Sequence, residues 1–454
     1  MPKIRMLSRN PDDYLRETKM DIHKVPRNYA PELHPFQEAR EYVRALNATK
    51  LERVFAKPFL AALDGHSDGV SCLAKHPNQL SLAISGCYDG EVRLWDLPRK
   101  RCLARSQAHT GWVRGSCVDN TGEGFLTVGD DKLIKLWPLS ESLLSLSGES
   151  TSQEFDEPQE TYVSKLVIQD VSHSWTKSQF ATCGEGVNIW EHQRISPLRT
   201  FNWGVDTVYK IRFNPIETDL LAATSSDRGI ILYDCREQVP LRKLIMKLRS
   251  NSIAWNPMEA YTLTAASEDY NLYTYDIRKF KYPVNVHMDH TAAVMDVDYA
   301  PTGREFVSGS YDKTIRIFPV DKGRSREVYH TKRMQRVMCV LWSMDNKFIL
   351  SGSDEMNLRL WKSNASEKLG PLRPREKRAF RYAHSLKEKF ASHPELKRIA
   401  RHRHVPKHVK TAQEEHRTIK ASQKRKQANV RAHSTPGTVP YDVERRKAVV
   451  EEQK

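Results

Sequence analysis

Seven short apolar runs in this chain each close on an aromatic residue, at a nearly even period. The closing residues are Trp95, Trp137, Trp190, Tyr233, Tyr275, Phe318 and Trp361. Successive intervals are 42, 53, 43, 42, 43 and 43 residues. A repeat of about 40 to 45 residues marks a chain built from stacked supersecondary units, none of which buries its own apolar face alone. The period therefore constrains the fold before any single residue does.

The runs alternate, as in Glu91-Val-Arg-Leu-Trp95, Leu133-Ile-Lys-Leu-Trp137, Thr314-Ile-Arg-Ile-Phe318 and Asn357-Leu-Arg-Leu-Trp361. Period-two alternation rich in β-branched and aromatic residues predicts half-buried strands. Six residues before the closing aromatic stands an acid in six of the seven repeats: Asp89, Asp131, Asp227, Asp269, Asp312 and Glu355. A carboxylate there suits a tight turn, because it can accept nearby backbone N–H groups. Further upstream in several repeats lies a histidine: His66, His109, His290 and His330. A neutral imidazole can bridge such a carboxylate and another polar group. These acids and histidines recur once per repeat, which argues for architecture over catalysis. Phe318 has no indole N–H and the tyrosines carry their hydroxyl elsewhere, so weaker networks are expected in those repeats.

The signature is that of an all-β, seven-bladed WD40 β-propeller, with residues 55–362 supplying the blades. The third repeat departs from the pattern. Gly184-Glu-Gly-Val-Asn-Ile-Trp190 lacks the turn acid, and its interval is long. The excess falls in 140–161, which holds six acids and no Lys or Arg. That composition predicts a disordered acidic insertion between blades. Residues Phe55–Leu63 precede the first repeat and have no blade of their own. They are expected to form the outer strand of the last blade, closing the ring and covering an exposed edge.

Two flanking segments remain. Residues 1–54, with mixed charge and many prolines, read as an extended segment. Residues 362–454 hold 25 Lys or Arg and 10 Asp or Glu, whereas the rest of the chain holds 47 and 46. Nearly all of the chain's net +16 therefore sits in a basic α-helical C-terminal extension, 363–454. Its first helix is predicted over Pro374–Phe390, where Phe380, Ala383, Leu386 and Phe390 share one face, expected to pack on the propeller. Pro394 and Pro406 each suit the first position of a further helix, the last running from about Lys407 to His433.

No acid occurs between Glu395 and Glu414, while Lys397, Arg398, Arg401, Arg403, Lys407 and Lys410 do. A second cluster is Lys424, Arg425 and Lys426. Clustered cations on helices match phosphate spacing and predict salt-sensitive contact with an RNA backbone. The one aromatic after Phe390 is Tyr441, so base stacking is poorly supplied. The alternatives are a solvated basic face or a nuclear or nucleolar targeting signal.

Other classes find no support. The seven cysteines are scattered, with no Cys-x-x-Cys and no Cys/His cluster of zinc spacing, so no metal is expected and the thiols read as reduced and intracellular. No apolar h-region opens the chain and no run approaches the length of a membrane span. No phosphate-binding glycine loop or nucleophile elbow is present, so neither a cofactor nor a catalytic site is expected.

Several non-repeat segments carry a closer resemblance. They are Met6-Leu-Ser-Arg-Asn-Pro11, the stretch Arg44–Phe59, Ser325–Gln335, Gly352-Ser-Asp-Glu-Met-Asn-Leu-Arg-Leu-Trp361 and Ile399-Ala-Arg-His-Arg-His-Val-Pro406. Together they resemble the WD40 family whose C-terminal region is called the Sof-like domain, over nearly the whole chain. The resemblance implies a non-catalytic nucleolar component of the small-subunit processome, supporting maturation of 18S ribosomal RNA. Its implied partners are processome proteins, the U3 small nucleolar ribonucleoprotein and pre-rRNA. Animal members are also described as substrate receptors of cullin-four RING ubiquitin ligases, a role that uses a Trp-Asp-x-Arg box against the ligase adaptor. The matching positions here are Tyr233-Asp234-Cys235-Arg236 and Tyr275-Asp276-Ile277-Arg278, both with Tyr for Trp. An arginine just past a strand end offers donors to a partner's carboxylates or carbonyls, or forms a surface salt bridge with its own blade.

Overall fold

The computed structural model describes residues 36–139, 153–154, 157–204, 207–441, 443 and 445–453. These form two units, one of residues 57–367 and 403–454, the other of residues 1–56 and 368–402.

In the first unit the alternating runs become seven antiparallel sheets of four strands, a to d, two of which carry a fifth strand. In blade 1 the four are Val70–Lys75, Leu82–Cys87, Glu91–Asp96 and Arg101–Gln107. The a strands of successive blades face one another around the axis. The closing aromatics all end strand c, and all are buried. In six blades each pairs across the sheet with the strand-b residue twelve positions earlier, as in Phe125 with Trp137 and Phe306 with Phe318. Where that residue is aromatic the rings stack, at 6.2 Å between centroids for Phe125 and Trp137. The strand Phe59–Leu63 pairs antiparallel with strand c of blade 7, Leu358–Lys362, so the ring is closed by its own beginning.

The turn acids act as their position suggests. The residue after each has a left-handed backbone: Gly90, then Lys132, Arg228, Tyr270, Lys313 and Met356 with φ between 62° and 72°. Asp131, Asp227, Asp269 and Asp312 each accept the N–H two residues on, at 3.2, 3.3, 3.1 and 3.0 Å. That bond offsets the steric cost of a side chain in the αL region.

The expected His–Asp–Trp network is complete in blade 2 alone among the described residues. His109 Nδ1 lies 2.9 Å from Asp131, and both His109 Nε2 and the Trp137 indole N–H meet Thr127 Oγ1 at 2.9 Å. In blade 1, Ser85 takes the role of Thr127, but His66 faces Glu91 at 3.4 Å while Asp89 bonds Ser67. Blade 6 keeps His290, Asp312 and Ser308, and Phe318 supplies no donor. In blade 7, Glu355 pairs with Arg359 instead of a histidine.

Blade 3 explains its own departure. Cys183 pairs with Val187, where blade 2 pairs Val128 with Ile134, so its b–c turn is two residues shorter and the acid's position is missing. The long interval has a different origin from the one expected. The extra residues lie inside blade 2, between strand c, Leu133–Pro138, and strand d, Glu160–Val163. Glu160 and Thr161, assigned to a disordered insertion, are thus sheet residues. Gln153–Glu154 pair parallel to strand d of blade 1, and most of the expected disordered run lies outside the described residues.

The helices also differ from expectation. Gln37–Val54, read as part of an extended segment, forms helix α1; residues 1–35 lie outside the described residues. Helix α2, Pro374–Lys389, and helix α3, Pro394–Ala400, each start on a proline, whose fixed φ and missing N–H suit a first turn. The apolar stripe of α2 was expected to meet the propeller. Instead Leu386 packs with Ala45 of α1 and Leu396 of α3, and Phe380 stays exposed. Salt bridges of 2.6 Å from Lys387 to Glu52 and from Lys389 to Glu41 line the same contact. Helix α4, Lys407–Ala432, belongs to the propeller unit, with Pro406 as its N-cap. The chain then returns as Val449–Gln453, a fifth strand on the outer edge of blade 4.

Candidate partner and nucleic-acid interfaces

Strands alternate in direction within a blade. The a–b and c–d turns therefore lie on one face of the ring, and the b–c and d–a turns on the other.

The two Tyr-Asp-x-Arg segments are c–d turns of adjacent blades, 4 and 5, on the first face. Asp234 accepts the Arg236 N–H at 2.9 Å, and Asp276 accepts the Arg278 N–H at 2.9 Å. The same carboxylates hold the guanidinium groups. Arg236 Nε is 3.4 Å from both Asp219 and Asp234, while Arg278 chelates Asp276 and lies 3.7 Å over the Tyr261 ring. The Arg278 hydrogen bond holds the Asp276 carboxyl below its ordinary value. Both arginines remain about two-thirds exposed, at 65% and 63%. The expected surface salt bridges therefore exist and still leave donors toward solvent. Tyr233 and Tyr275 are a correction: both are buried against neighbouring strands, which leaves Arg236 and Arg278 as the exposed residues of the two boxes.

Sequence reading missed three apolar residues exposed on the same face. Trp175, Ile216 and Met258 are exposed in the a–b turns of blades 3, 4 and 5. Trp175, with Pro215 and Pro257 next to the other two, lines a cavity of about 370 Å³ walled by the a strands of all seven blades. Single exposed apolar residues carry no sequence signal; only the ring closure gathers them on one face.

The cationic residues divide between the units. Lys397, Arg398 and Arg401 are exposed on and just after α3. Arg403 is a correction. It is largely buried against Asp289 and Ser325 of the propeller, so it anchors the tail rather than presenting a charge. The chain from Arg403 then crosses the second face. His404 stacks on His330 at 5.1 Å, Val409 is buried, Gln413 donates to the Asp289 carbonyl at 2.9 Å, and His416 stacks on Tyr270 at 5.3 Å. Lys407 and Lys410 stay exposed along this docked stretch. Beyond His416 the character changes. Arg417, Lys420, Lys424, Arg425 and Lys426 are all exposed, and α4 holds no acid after Glu415. Arg417, Lys420 and Lys424, spaced by three and four, share one helical face.

Comparison with known proteins agrees with this arrangement. A WD domain, G-beta repeat model matches residues 57–96, 100–138, 281–318 and 326–362, and a Sof1-like domain model matches 363–449. A Mus musculus protein named DDB1- and CUL4-associated factor 13 is 60% identical over 448 residues, covering 99% of each chain. The chain belongs to this family of WD40 proteins with a Sof1-like domain. Its Homo sapiens member is 58% identical over the same share, and its Dictyostelium discoideum member 49% identical over 408 residues, 90% of each chain. The solved WD40 β-propeller domain of Doa1 superposes with a TM-score of 0.57 at 18% identity, covering 67% of this chain and 96% of that one. That likeness concerns the fold alone. The Sof1-like match begins just after the last closing aromatic and spans α2, α3, α4 and the return toward blade 4.

Proposed function

We propose that this protein is a non-catalytic scaffold of the nucleolar small-subunit processome, supporting 18S pre-rRNA processing and 40S ribosome production. The observation that carries this reading is α4. Its first turns are fixed to the propeller by Arg403, Val409, Gln413 and His416, and its remainder presents cations and no acid. A helix anchored at one end and cationic at the other suits an RNA backbone held beside a protein-docking ring. Other processome proteins, the U3 small nucleolar ribonucleoprotein and pre-rRNA are the partners. Changing Arg417, Lys420, Lys424, Arg425 and Lys426 together to Gln should raise unprocessed precursor and lower 40S subunits, with the protein at normal abundance. Normal precursor levels in that variant would sink the reading.

A second role rests on a separate observation. Arg236 and Arg278 project from adjacent blades on the face opposite the docked start of α4, and relatives are named for association with DDB1 and CUL4. On this reading the protein is also a substrate receptor of a cullin-four RING ligase, docking its adaptor DDB1 through these guanidinium groups. Arg236→Ala with Arg278→Ala should abolish co-purification of DDB1 and leave processome association intact. Undiminished DDB1 recovery would remove the arginines from the contact.

A further inference from the structure

Blades 2 and 3 bring together three donor groups far apart in the chain. Asp119 directly follows strand a of blade 2, Val113–Val118. His173 ends strand a of blade 3, Asp170–His173, and His192 directly follows its strand c, Val187–Glu191. His173 Nε2 lies 2.9 Å from Asp119 Oδ1 and 2.9 Å from His192 Nε2; His192 Nε2 lies 4.0 Å from the same oxygen. Ligand atoms around a tetrahedral ion with bonds of about 2.0 to 2.1 Å stand roughly 3.3 Å apart, within the spread seen here.

The hydrogen bonds say what the cluster lacks. His173 Nδ1 is 2.7 Å from the Ser174 carbonyl oxygen, which can only accept, so Nδ1 carries the proton. In the neutral ring Nε2 then bears a lone pair. His192 can donate one proton to it, but the Asp119 oxygen still meets it lone pair to lone pair. A buried imidazole nitrogen against a carboxylate oxygen calls for a positive centre between them. The Ser174 bond is also the support that fixes a ligating histidine's tautomer and ring orientation.

The other two groups are ready as ligands. Asp119 is oriented by the Asn120 N–H at 2.6 Å and the Thr121 hydroxyl at 3.1 Å. His192 Nε2 is turned toward His173 Nε2 at 2.9 Å, and its ring is 15% exposed.

We propose that Asp119, His173 and His192 form a structural site for a zinc-type divalent cation that staples blade 3 to blade 2. Two imidazole nitrogens and one carboxylate suit Zn²⁺ better than the oxygen-seeking Ca²⁺ or Mg²⁺. Asp119 and His173 line the axial cavity, whose water supplies the fourth position. The site compensates for a local weakness, since blade 3 has neither the turn acid nor the histidine that ties blade 2 together. The three residues share no local spacing, which is why a search for Cys/His motifs passes over them.

Chelator-stripped, full-length protein titrated with ZnCl₂ against a chromogenic chelator near neutral pH should take up one tight equivalent. His192→Ala, a change at a partly exposed ring, should lose that equivalent while keeping the wild-type far-UV circular dichroism. Co²⁺ in the site should give visible d–d bands without a thiolate charge-transfer band, separating it from the seven cysteines. Zinc should raise the thermal midpoint of the wild type and not of the variant. Equal zinc uptake by the two proteins, or no uptake by either, would overturn the site.

Discussion

Thr127 satisfies two buried groups at once, the Trp137 indole and the His109 imidazole, each at 2.9 Å. Thr182 in blade 3 satisfies one, the Trp190 indole at 2.9 Å. Thr→Val keeps the volume at either site but strands the indole donor, and at Thr127 also the imidazole nitrogen that accepts from the hydroxyl. A buried polar group left unpaired costs about 1 to 3 kcal/mol, so Thr127→Val should cost roughly twice what Thr182→Val does. Denaturant midpoints of the two variants at unchanged slope would measure this. Equal shifts would mean that the histidine adds nothing. At this scale the sequence shows the acids, which keep one offset from the closing aromatics, and the histidines that stand upstream of four of them. It does not show the hydroxyl that joins them. Ser and Thr are common, and only the b–c register brings Ser85, Thr127, Ser308 and Ser351 beside the closing aromatics. The same limit applies to Tyr233 and Tyr275: the box marks the turn, while burial decides which of its residues a partner can reach.

At the scale of elements, strands were legible because period two and the turn acid agree with each other in six blades. What required the third dimension was pairing between distant segments. Val449–Gln453 is ordinary in composition, and its place on the edge of blade 4 follows from where α4 delivers the chain. Helix α1 was hidden for a related reason: its core contribution is Ala45 against Leu386 and Leu396, too small to print a long apolar stripe. Arg403 shows how one residue fixes an element. Burial opposes the charge on Asp289, and Arg316 and Arg403 together outweigh that cost. Arg403→Ala should leave Asp289 to Arg316 and release the start of α4. Hydrogen exchange over residues 407–416 should quicken, with the strands of blades 5 and 6 unchanged. A single Arg403 nitrogen, Nη1, meets both Asp289 and Ser325, so Arg403→Lys, whose ammonium also gathers its donors on one atom, should restore much of the protection. Unaltered exchange in the alanine variant would show that Val409 and the stacked histidines hold the helix without it.

Across the whole molecule the sequence divides charge and the fold divides faces. The segment after Trp361 carries almost all of the excess positive charge. In the propeller unit, residues 404–416 of that segment dock on the face opposite Arg236 and Arg278, so an RNA held by α4 and a protein adaptor would meet different surfaces. This separation yields a quantitative test of the RNA reading. Binding driven by released counterions weakens with salt in proportion to the phosphates neutralised, with a logarithmic slope of about −0.7 per contact for single strands. Replacing Arg417, Lys420 and Lys424 with Gln should therefore flatten the slope by about 2. The loss of affinity should be nearly the same for unrelated RNA sequences. The one aromatic in the tail beyond Phe390 is Tyr441, exposed with the Arg431 guanidinium 4.7 Å from its ring, and a single ring supplies little base readout. Arg236→Ala with Arg278→Ala, on the other face, should leave the slope where it was. If the triple variant bound RNA with the wild-type slope, the cations of α4 would be a solvated face or a targeting signal, and the RNA contact would have to lie elsewhere in the chain.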